Sequence, residues 1–181
     1  ENPFEGMAER GSVALTAVQL SGLERQGILR VFDAEPPRPE IRDFELPTLT
    51  AAQSKALEEI EECFRTKDTV LLHGVMSSGK SEVFLTRAAR TLSAGGDVLV
   101  LLPEISVTTQ FVRRVQKIFG DCVTLYHSSL TDRARAEAYV KIMRADTPQI
   151  VVGVRSALFL PFRSLRLIVV DEEHDSSYKQ A

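Results

Sequence analysis

The stretch Leu71 to Phe84, "LLHGVMSSGKSEVF", is the most informative part of the sequence. It begins with β-forming residues, continues through a loop of small residues and a lysine, and ends in a helical pattern. Its central part, Gly74 to Ser81, satisfies the phosphate-loop pattern G-x-x-x-x-G-K-[ST] in the context that the pattern requires. Glycines let backbone N–H groups wrap around phosphates, and the new helix adds the positive end of its dipole. The stretch therefore predicts a site for a nucleotide phosphate.

The residues of this loop have different predicted roles. Lys80 is expected to reach the β and γ phosphates of ATP, and the hydroxyl of Ser81 is expected to bind Mg²⁺. The alternative interpretation is an ordinary strand-to-helix turn with a surface lysine. The predicted binding residues of the loop are Gly74, Val75, Met76, Ser77, Ser78, Gly79, Lys80 and Ser81.

A second candidate site follows the apolar run in "LIVVDEEH", Leu167 to His174. A buried strand would present Asp171 to the metal at its carboxyl end, with Glu172 beside it to orient an attacking water. His174 is placed to form a hydrogen bond away from the two carboxylates and so to transmit the state of the bound nucleotide to other parts of the protein. The alternative is a surface acidic turn after a strand. With Lys80, these three residues are the predicted catalytic group.

The alternation of apolar runs and amphipathic helical patterns predicts an α/β fold, a parallel sheet covered by helices on both faces. A helix beginning near Thr50 is predicted first, because Thr50 and Gln53 fit a capping box. Further helices are predicted at about 81–92, 107–119 and 131–143. The predicted strands are "DTVLLH" (68–73), "DVLVLLP" (97–103), "CVTLYH" (122–127), "QIVVGV" (149–154) and "RLIVVDEEH" (166–174).

The amino-terminal part reads as a separate unit. Residues 1–35 contain a helical pattern, a predicted C-cap at Gly27 and a short β-prone run. Residues 36–48 hold four prolines and are predicted to be an extended linker. The predicted domain that carries the phosphate loop is 49–181.

Composition and charge limit the classes of function. With 181 residues, 44% of them hydrophobic, no membrane-length apolar run and no leader pattern at its start, the chain is expected to be cytoplasmic and not to interact with membranes. Its two cysteines, Cys63 and Cys122, are too far apart for a zinc pair and are expected to be reduced thiols. The net charge is −3, with −4 on residues 1–48 and +1 on residues 49–181, so binding to a phosphate backbone must rest on a few placed contacts.

The combination of "DEEH" with an earlier GKS-type loop resembles the first RecA-like lobe of superfamily 2 helicases. Six blocks in order are similar to replication-restart helicases of that superfamily, and they span nearly all of 49–181. The blocks are "LTAAQSKAL", "GVMSSGKSEVF", "LLPEISVTTQF", "YHSSLTDRAR", "VGVRSALFLPF" and "IVVDEEHDSSYKQ".

The resemblance implies a RecA-like P-loop domain, preceded by the last part of a winged-helix domain in residues 1–35. It implies an ATP-dependent 3′-to-5′ DNA helicase of replication restart and primosome assembly, with ATP and Mg²⁺ as cofactors. Gln53 occupies the position at which members of this family have a glutamine that recognises the adenine base. Zinc is expected in the full-length members of the family, and no zinc site is expected in this chain. The implied partners are single-stranded and forked DNA, primosome proteins and single-strand-binding proteins.

The resemblance also implies a DNA path along the lobe. Phe159 and Phe162, in one of the matching blocks, are interpreted as core residues rather than as base-stacking platforms. The implied DNA contacts are Pro103, Glu104, Thr108, Gln110, Arg155, Ser156, Tyr178 and Lys179.

The chain is expected to be a piece of a longer protein, because it begins without methionine, ends within a matching block and lacks a second lobe. That lobe would supply an arginine for phosphoryl transfer, so the piece alone is expected to hydrolyse ATP poorly. Another superfamily 2 translocase is the nearest alternative, and a P-loop kinase or nucleotide switch is a more distant one.

Overall fold

The structure is a computed structural model that describes residues 16–25, 44–75, 78–103 and 109–179. The chain divides into two compact units, Glu1–Pro37 and Arg38–Ala181. In the first unit the structure describes helix α1, Ala17–Arg25. Gly27 and the β-prone run after it lie outside the described residues, so the winged-helix assignment stays a prediction.

The second unit contains a four-stranded sheet in which every pair of neighbours is parallel. The strand order is β2-β3-β1-β4. All four carboxyl ends therefore meet at one edge, which we call the carboxyl edge. The strands are β1 Asp97–Leu101, β2 Val123–Tyr126, β3 Ile150–Gly153 and β4 Leu165–Val170.

Helices connect the strands, as parallel pairing requires. Together with the sheet they confirm the predicted RecA-like α/β fold. Among the described residues, no helix is long and apolar enough to span a bilayer. The helices of this unit are α2 Ala51–Cys63, α3 Lys80–Ser93, α4 Thr109–Phe119 and α5 Asp132–Met143, with short 3-10 helices at Gly120–Cys122, Arg155–Phe159 and Ser176–Tyr178.

Strand β1 shows why the sheet is covered on both faces. Its side chains alternate, so Val98 and Val100 belong to one core cluster and Leu99 and Leu101 to another. The first cluster contains residues of α3 and α4, whereas the second contains Ile142 of α5. Each fully buried aliphatic side chain contributes about 1.5–3 kcal/mol.

The predicted strand 68–73 is wrong. These residues have neither helical nor strand structure, and Leu71 is 72% exposed. A β-prone run becomes a strand only where its N–H and C=O groups find a neighbouring edge. Among the described residues β4 pairs with β1 alone, and Ile168 and Val170 of β4 remain exposed.

The described end of the predicted linker packs against the core of its own unit. The ring of Phe44 meets the ring of Phe119 edge-on, with centroids 5.0 Å apart, and Leu46 joins the same cluster. Residues 44–48 are irregular, as expected, but they are held against the protein surface by apolar contacts. The predicted boundaries of the linker remain a prediction.

Candidate functional site

The phosphate loop ends at Gly79, which is the N-cap of α3 and has a φ of +81°. L-residues with side chains rarely adopt this conformation. A Cβ at this position would also lie 2.1 Å from Nε2 of Gln53, which donates to the Gly79 carbonyl at 3.2 Å. Local backbone geometry and a contact from α2 therefore both require glycine here.

Lys80 is the first residue of α3, and its ammonium group is held by the loop itself. Its Nζ donates to the carbonyls of Gly74 at 2.8 Å and Val75 at 3.2 Å. Met76 and Ser77 lie outside the described residues. The lysine charge and the positive end of the α3 dipole thus lie together, and both attract an anion.

Asp171 follows the last residue of β4 and continues the sheet, because its N–H donates to the Leu101 carbonyl at 3.0 Å. The next residue, Glu172, has a φ of +49° and is the only non-glycine residue with positive φ among those that the structure describes. Its N–H donates to Oδ1 of Asp171 at 3.1 Å. The turn is strained at Glu172, and such strain commonly marks functional sites.

The electrostatic environment of Asp171 suits a bound cation. Burial raises the pKa of this carboxyl, and the nearby charge of Glu172 raises it further. The hydrogen bond from the Glu172 N–H and the charge of Lys80 act in the opposite direction without cancelling the rise. Because the ionised form is disfavoured, a cation placed beside it would restore the charge.

The loop and the acidic turn meet in one open pocket of about 270 Å³ at the carboxyl edge. That volume is just below the roughly 300–1,000 Å³ of typical small-molecule sites, and suits the phosphate part of a nucleotide. The lining residues are Ser78, Gly79, Lys80, Ser81, Glu82, Arg114, Asp171 and Glu172.

The residues of this pocket fit Mg²⁺. Ser81 and Asp171 line it together, which offers one hydroxyl and one carboxylate. No group of three or more His, Cys, Asp or Glu side chains able to hold a metal occurs in the described parts of the chain. Such a site suits Mg²⁺ because this ion usually keeps several waters and takes its other ligands from substrate phosphates.

His174 lies in the acidic turn and is exposed. Its Nε2 is 3.6 Å from a carboxylate oxygen of Glu172, and its Nδ1 is 3.5 Å from one of Glu173. The side chain is 73% exposed, so it can exchange these neighbours for another partner. Its predicted relay role stays a prediction.

The predicted DNA contacts after β1 occupy different environments. Pro103 is fully buried, so a role for it at an interface would be to set the course of the following backbone. Glu104 and Thr108 lie outside the described residues. Gln110 is exposed near the start of α4.

The predicted contacts after β3 lie in the short helix Arg155–Phe159 at the carboxyl edge. Arg155 is half-buried, and its guanidinium forms no hydrogen bond or ion pair with the residues that the structure describes, while Ser156 is exposed. The interpretation of Phe159 as a core residue is wrong, because its side chain is 85% exposed. Phe162 packs against the second core cluster, as predicted. Phe159 is the last residue of the 3-10 helix, whereas Phe162 follows it in irregular backbone, so the two rings are not held on one face.

Tyr178 connects the segment after the acidic turn to Asp171. Its Oη donates to the Asp171 carbonyl at 3.0 Å, and its ring packs against the second core cluster. Burial, and then the charges of Asp171, Asp175 and Glu172, raise the pKa of Tyr178 well above its ordinary value. The phenol therefore stays protonated and holds the peptide of Asp171. Lys179 beside it is exposed.

Sequence reasoning missed an ion pair in the pocket wall. Nη2 of Arg114, on α4, lies 2.5 Å from a carboxylate oxygen of Glu82, on α3. Burial alone would raise the pKa of Glu82, but hydrogen bonds from Arg114 and from the Glu82 N–H lower it overall. The position of Glu82 directly after the phosphate loop was a usable signal. Its partner, 32 residues away, offered none.

The fold and the pocket define a P-loop nucleotide-binding α/β domain. A scan against family models matches residues 50–181 to the DEAD/DEAH box helicase model. The chain belongs to the DEAD/DEAH box helicase family.

Several curated proteins called "Replication restart protein PriA" are similar to this chain. The protein of Synechocystis sp. is 38% identical over 93% of the chain and 21% of its own length. That of Bacillus subtilis is 43% identical over 73% of the chain and 16% of its own length. That of Chlamydia muridarum is 37% identical over 90% of the chain and 22% of its own length. The chain thus spans about a fifth of the length of these relatives.

Proposed function

We propose that this chain is the nucleotide-binding lobe of an ATP-dependent 3′-to-5′ DNA helicase that acts in replication restart and primosome assembly. The observation that carries the proposal is the single pocket shared by Lys80, Ser81, Asp171 and Glu172. Family membership and relatives named for replication restart support the motor and its cellular task.

Each pocket residue has a definite task in this proposal. Lys80 leaves the loop carbonyls and balances the charge of the β and γ phosphates, while Ser81 and Asp171 hold Mg²⁺. Glu172 orients the attacking water. Held by Ser81 and Asp171, Mg²⁺ would neutralise negative charge on the phosphates.

Gln53 keeps its proposed role as the reader of adenine. Its Oε1 already accepts from the Thr50 N–H at 2.8 Å, and its Nε2 donates to the Gly79 carbonyl at 3.2 Å. An amide has two donor hydrogens and two acceptor lone pairs, so one of each remains for a base edge. The capping box also fixes this side chain beside the loop.

The proposed DNA surface lies at the carboxyl edge. Arg155 supplies a guanidinium that suits a backbone phosphate, and Phe159 supplies an exposed ring on which a base can stack. Gln110, Ser156 and Lys179 are exposed and complete the proposed contact set. A few placed contacts of this kind fit a domain that is close to neutral overall.

The setting of the motor is also part of the proposal. In the longer protein we expect a second lobe that supplies an arginine for phosphoryl transfer, so that this chain alone hydrolyses ATP slowly. There we also expect a cysteine-rich element that holds zinc. We expect primosome and single-strand-binding proteins as partners, and a cytoplasmic location.

Binding to labelled single-stranded DNA, followed by fluorescence anisotropy, tests the proposal. We expect wild type to bind, and Phe159→Ala to bind about tenfold more weakly, because base stacking on an aromatic ring contributes about 1–3 kcal/mol. Tyr139→Ala is the matched control, because Tyr139 is a half-exposed aromatic residue of α5 outside the proposed surface. Wild type that fails to bind DNA would contradict the proposal.

Two further readouts separate the other candidate functions. A kinase would transfer phosphate to an acceptor, and DNA would not stimulate the reaction. A different translocase of the same superfamily would lack a preference for forked DNA in its full-length form. A turnover of the isolated chain near that of the full-length protein would contradict the proposed need for a second lobe.

A further inference from the structure

We propose that Arg114 is a phosphate-binding residue of the nucleotide site and that Glu82 is the counter-ion that holds its guanidinium at the pocket. The inference deepens the proposed function and rests on it. Both side chains line the same pocket as Lys80, Ser81 and Asp171.

The ion pair of Glu82 and Arg114 lies in the wall of the pocket. Glu82 lies in the first turn of α3, next to Ser81, and Arg114 reaches it from the middle of α4. The two groups are 2.5 Å apart, and their side chains are 24% and 37% exposed, respectively. The guanidinium is therefore fixed at the pocket wall while part of it stays open to the pocket.

The pocket also contains two cationic side chains. Among the described residues that line the pocket, the cationic ones are Lys80 and Arg114, whereas Glu82, Asp171 and Glu172 are acidic. A triphosphate brings several further negative charges, which a lysine alone balances poorly. Arginine is suited to the task, because its planar fork binds phosphate oxygens in a bidentate manner. A phosphate oxygen can then replace the Glu82 carboxylate as the partner of Arg114.

Because Arg114 lies on α4, replacement of Glu82 by a phosphate oxygen would also act on this helix. The same helix carries Gln110, one turn earlier, which belongs to the proposed DNA surface. A guanidinium that changes partners would link the phosphate end of the nucleotide to the helix that begins at that surface. Nucleotide and DNA binding would then influence each other through α4.

The test compares three variants for binding of fluorescent ATP and ADP analogues in the presence of Mg²⁺. Arg114→Gln should lose about tenfold or more in ATP affinity, since it removes charge-assisted hydrogen bonds to phosphate oxygens, and should lose less for ADP. Glu82→Gln should also weaken ATP binding, but by less than Arg114→Gln, because the guanidinium remains and only the partner that positions it is lost. Arg113→Gln, an exposed neighbour on α4, should match wild type.

A purely structural ion pair would give a different pattern. Arg114→Gln and Glu82→Gln would then lower the thermal midpoint of the nucleotide-free chain and weaken ATP and ADP equally, and that result would overturn the inference. Arg114→Gln that binds ATP like wild type would overturn it as well. Wild type that binds neither nucleotide would instead show that the proposed function itself fails.

Discussion

Gly79 shows at the scale of one residue why the phosphate loop needs its sequence. The glycine of the motif was predicted from the pattern alone, but the second reason for it, the amide of Gln53 packed against it, is visible only in three dimensions. Pattern reasoning finds positions that the local backbone determines. It does not find a contact between residues 26 positions apart in the sequence.

Replacing Gly79 by alanine should therefore destabilise the loop and abolish nucleotide binding. The positive φ costs about 1 kcal/mol for a residue with a Cβ, and the displacement of Gln53 adds to it. Gly120→Ala is the control, because Gly120 has a φ of +57° but no atom within 4 Å of an added Cβ. The control should lose some thermal stability and keep its nucleotide affinity. Unchanged affinity in Gly79→Ala would contradict the described loop.

Asp171 gives a pH-dependent prediction. Its pKa is raised in the folded chain, mainly by burial, so folding favours the protonated carboxyl and the ionised form reduces stability above the ordinary value of 3.8. Asp171→Asn should raise the thermal midpoint at pH 7 without Mg²⁺ or nucleotide, and the gain should shrink as the pH falls toward 4. Melting curves across this range measure it. A midpoint at pH 7 equal to that of wild type would count against the described environment.

At the scale of elements, Asp97 joins three strands at the edge opposite the pocket. It begins β1 and is buried, and its two carboxylate oxygens accept from the N–H groups of Gln149 and Ser164, each at 2.9 Å. Those residues directly precede β3 and β4. No sequence pattern indicates this role of Asp97, because its hydrogen-bond partners are 52 and 67 residues away.

Asp97→Ala should cost about 3 kcal/mol or more of unfolding free energy, since it leaves two N–H groups without their charged acceptor. Chemical denaturation measures the loss. Asp68→Ala, at an exposed loop position, should stay within about 0.5 kcal/mol of wild type. Equal stability of the two variants would contradict the role of Asp97 as a strand clamp.

The strands and helices themselves were predicted with uneven success. Strands β1 to β4 are short, mostly apolar runs, and the helices α2 to α5 lie in the mixed polar and apolar segments before and between them, so the sequence located both. The run 68–73 has the composition of a strand but lacks a paired edge among the described residues, and composition cannot report on a missing neighbour. The prediction that Phe159 is a core residue was wrong for a related reason, because hydrophobicity does not reveal which side of a short helix faces the core.

At the scale of the whole molecule, parallel strand order explains why separate motifs meet. The segments after β1, β3 and β4 all leave the sheet at the carboxyl edge, where α3 also begins. Lys80 and Asp171 were predicted to act together, and both line the same pocket, while their joint role stays a prediction. The contribution of α4 through Arg114 required the packing of two helices and could not be read from the sequence.

Equilibrium binding of a fluorescent ATP analogue, with and without Mg²⁺, tests most directly whether this pocket binds a nucleotide. Wild type should bind in the presence of Mg²⁺ and more weakly without it. Lys80→Ala should lose about tenfold or more in affinity. Lys67→Ala, an exposed lysine before the loop, should bind like wild type. Wild type that does not bind the analogue, or Lys80→Ala that binds as tightly as wild type, would contradict the proposed site.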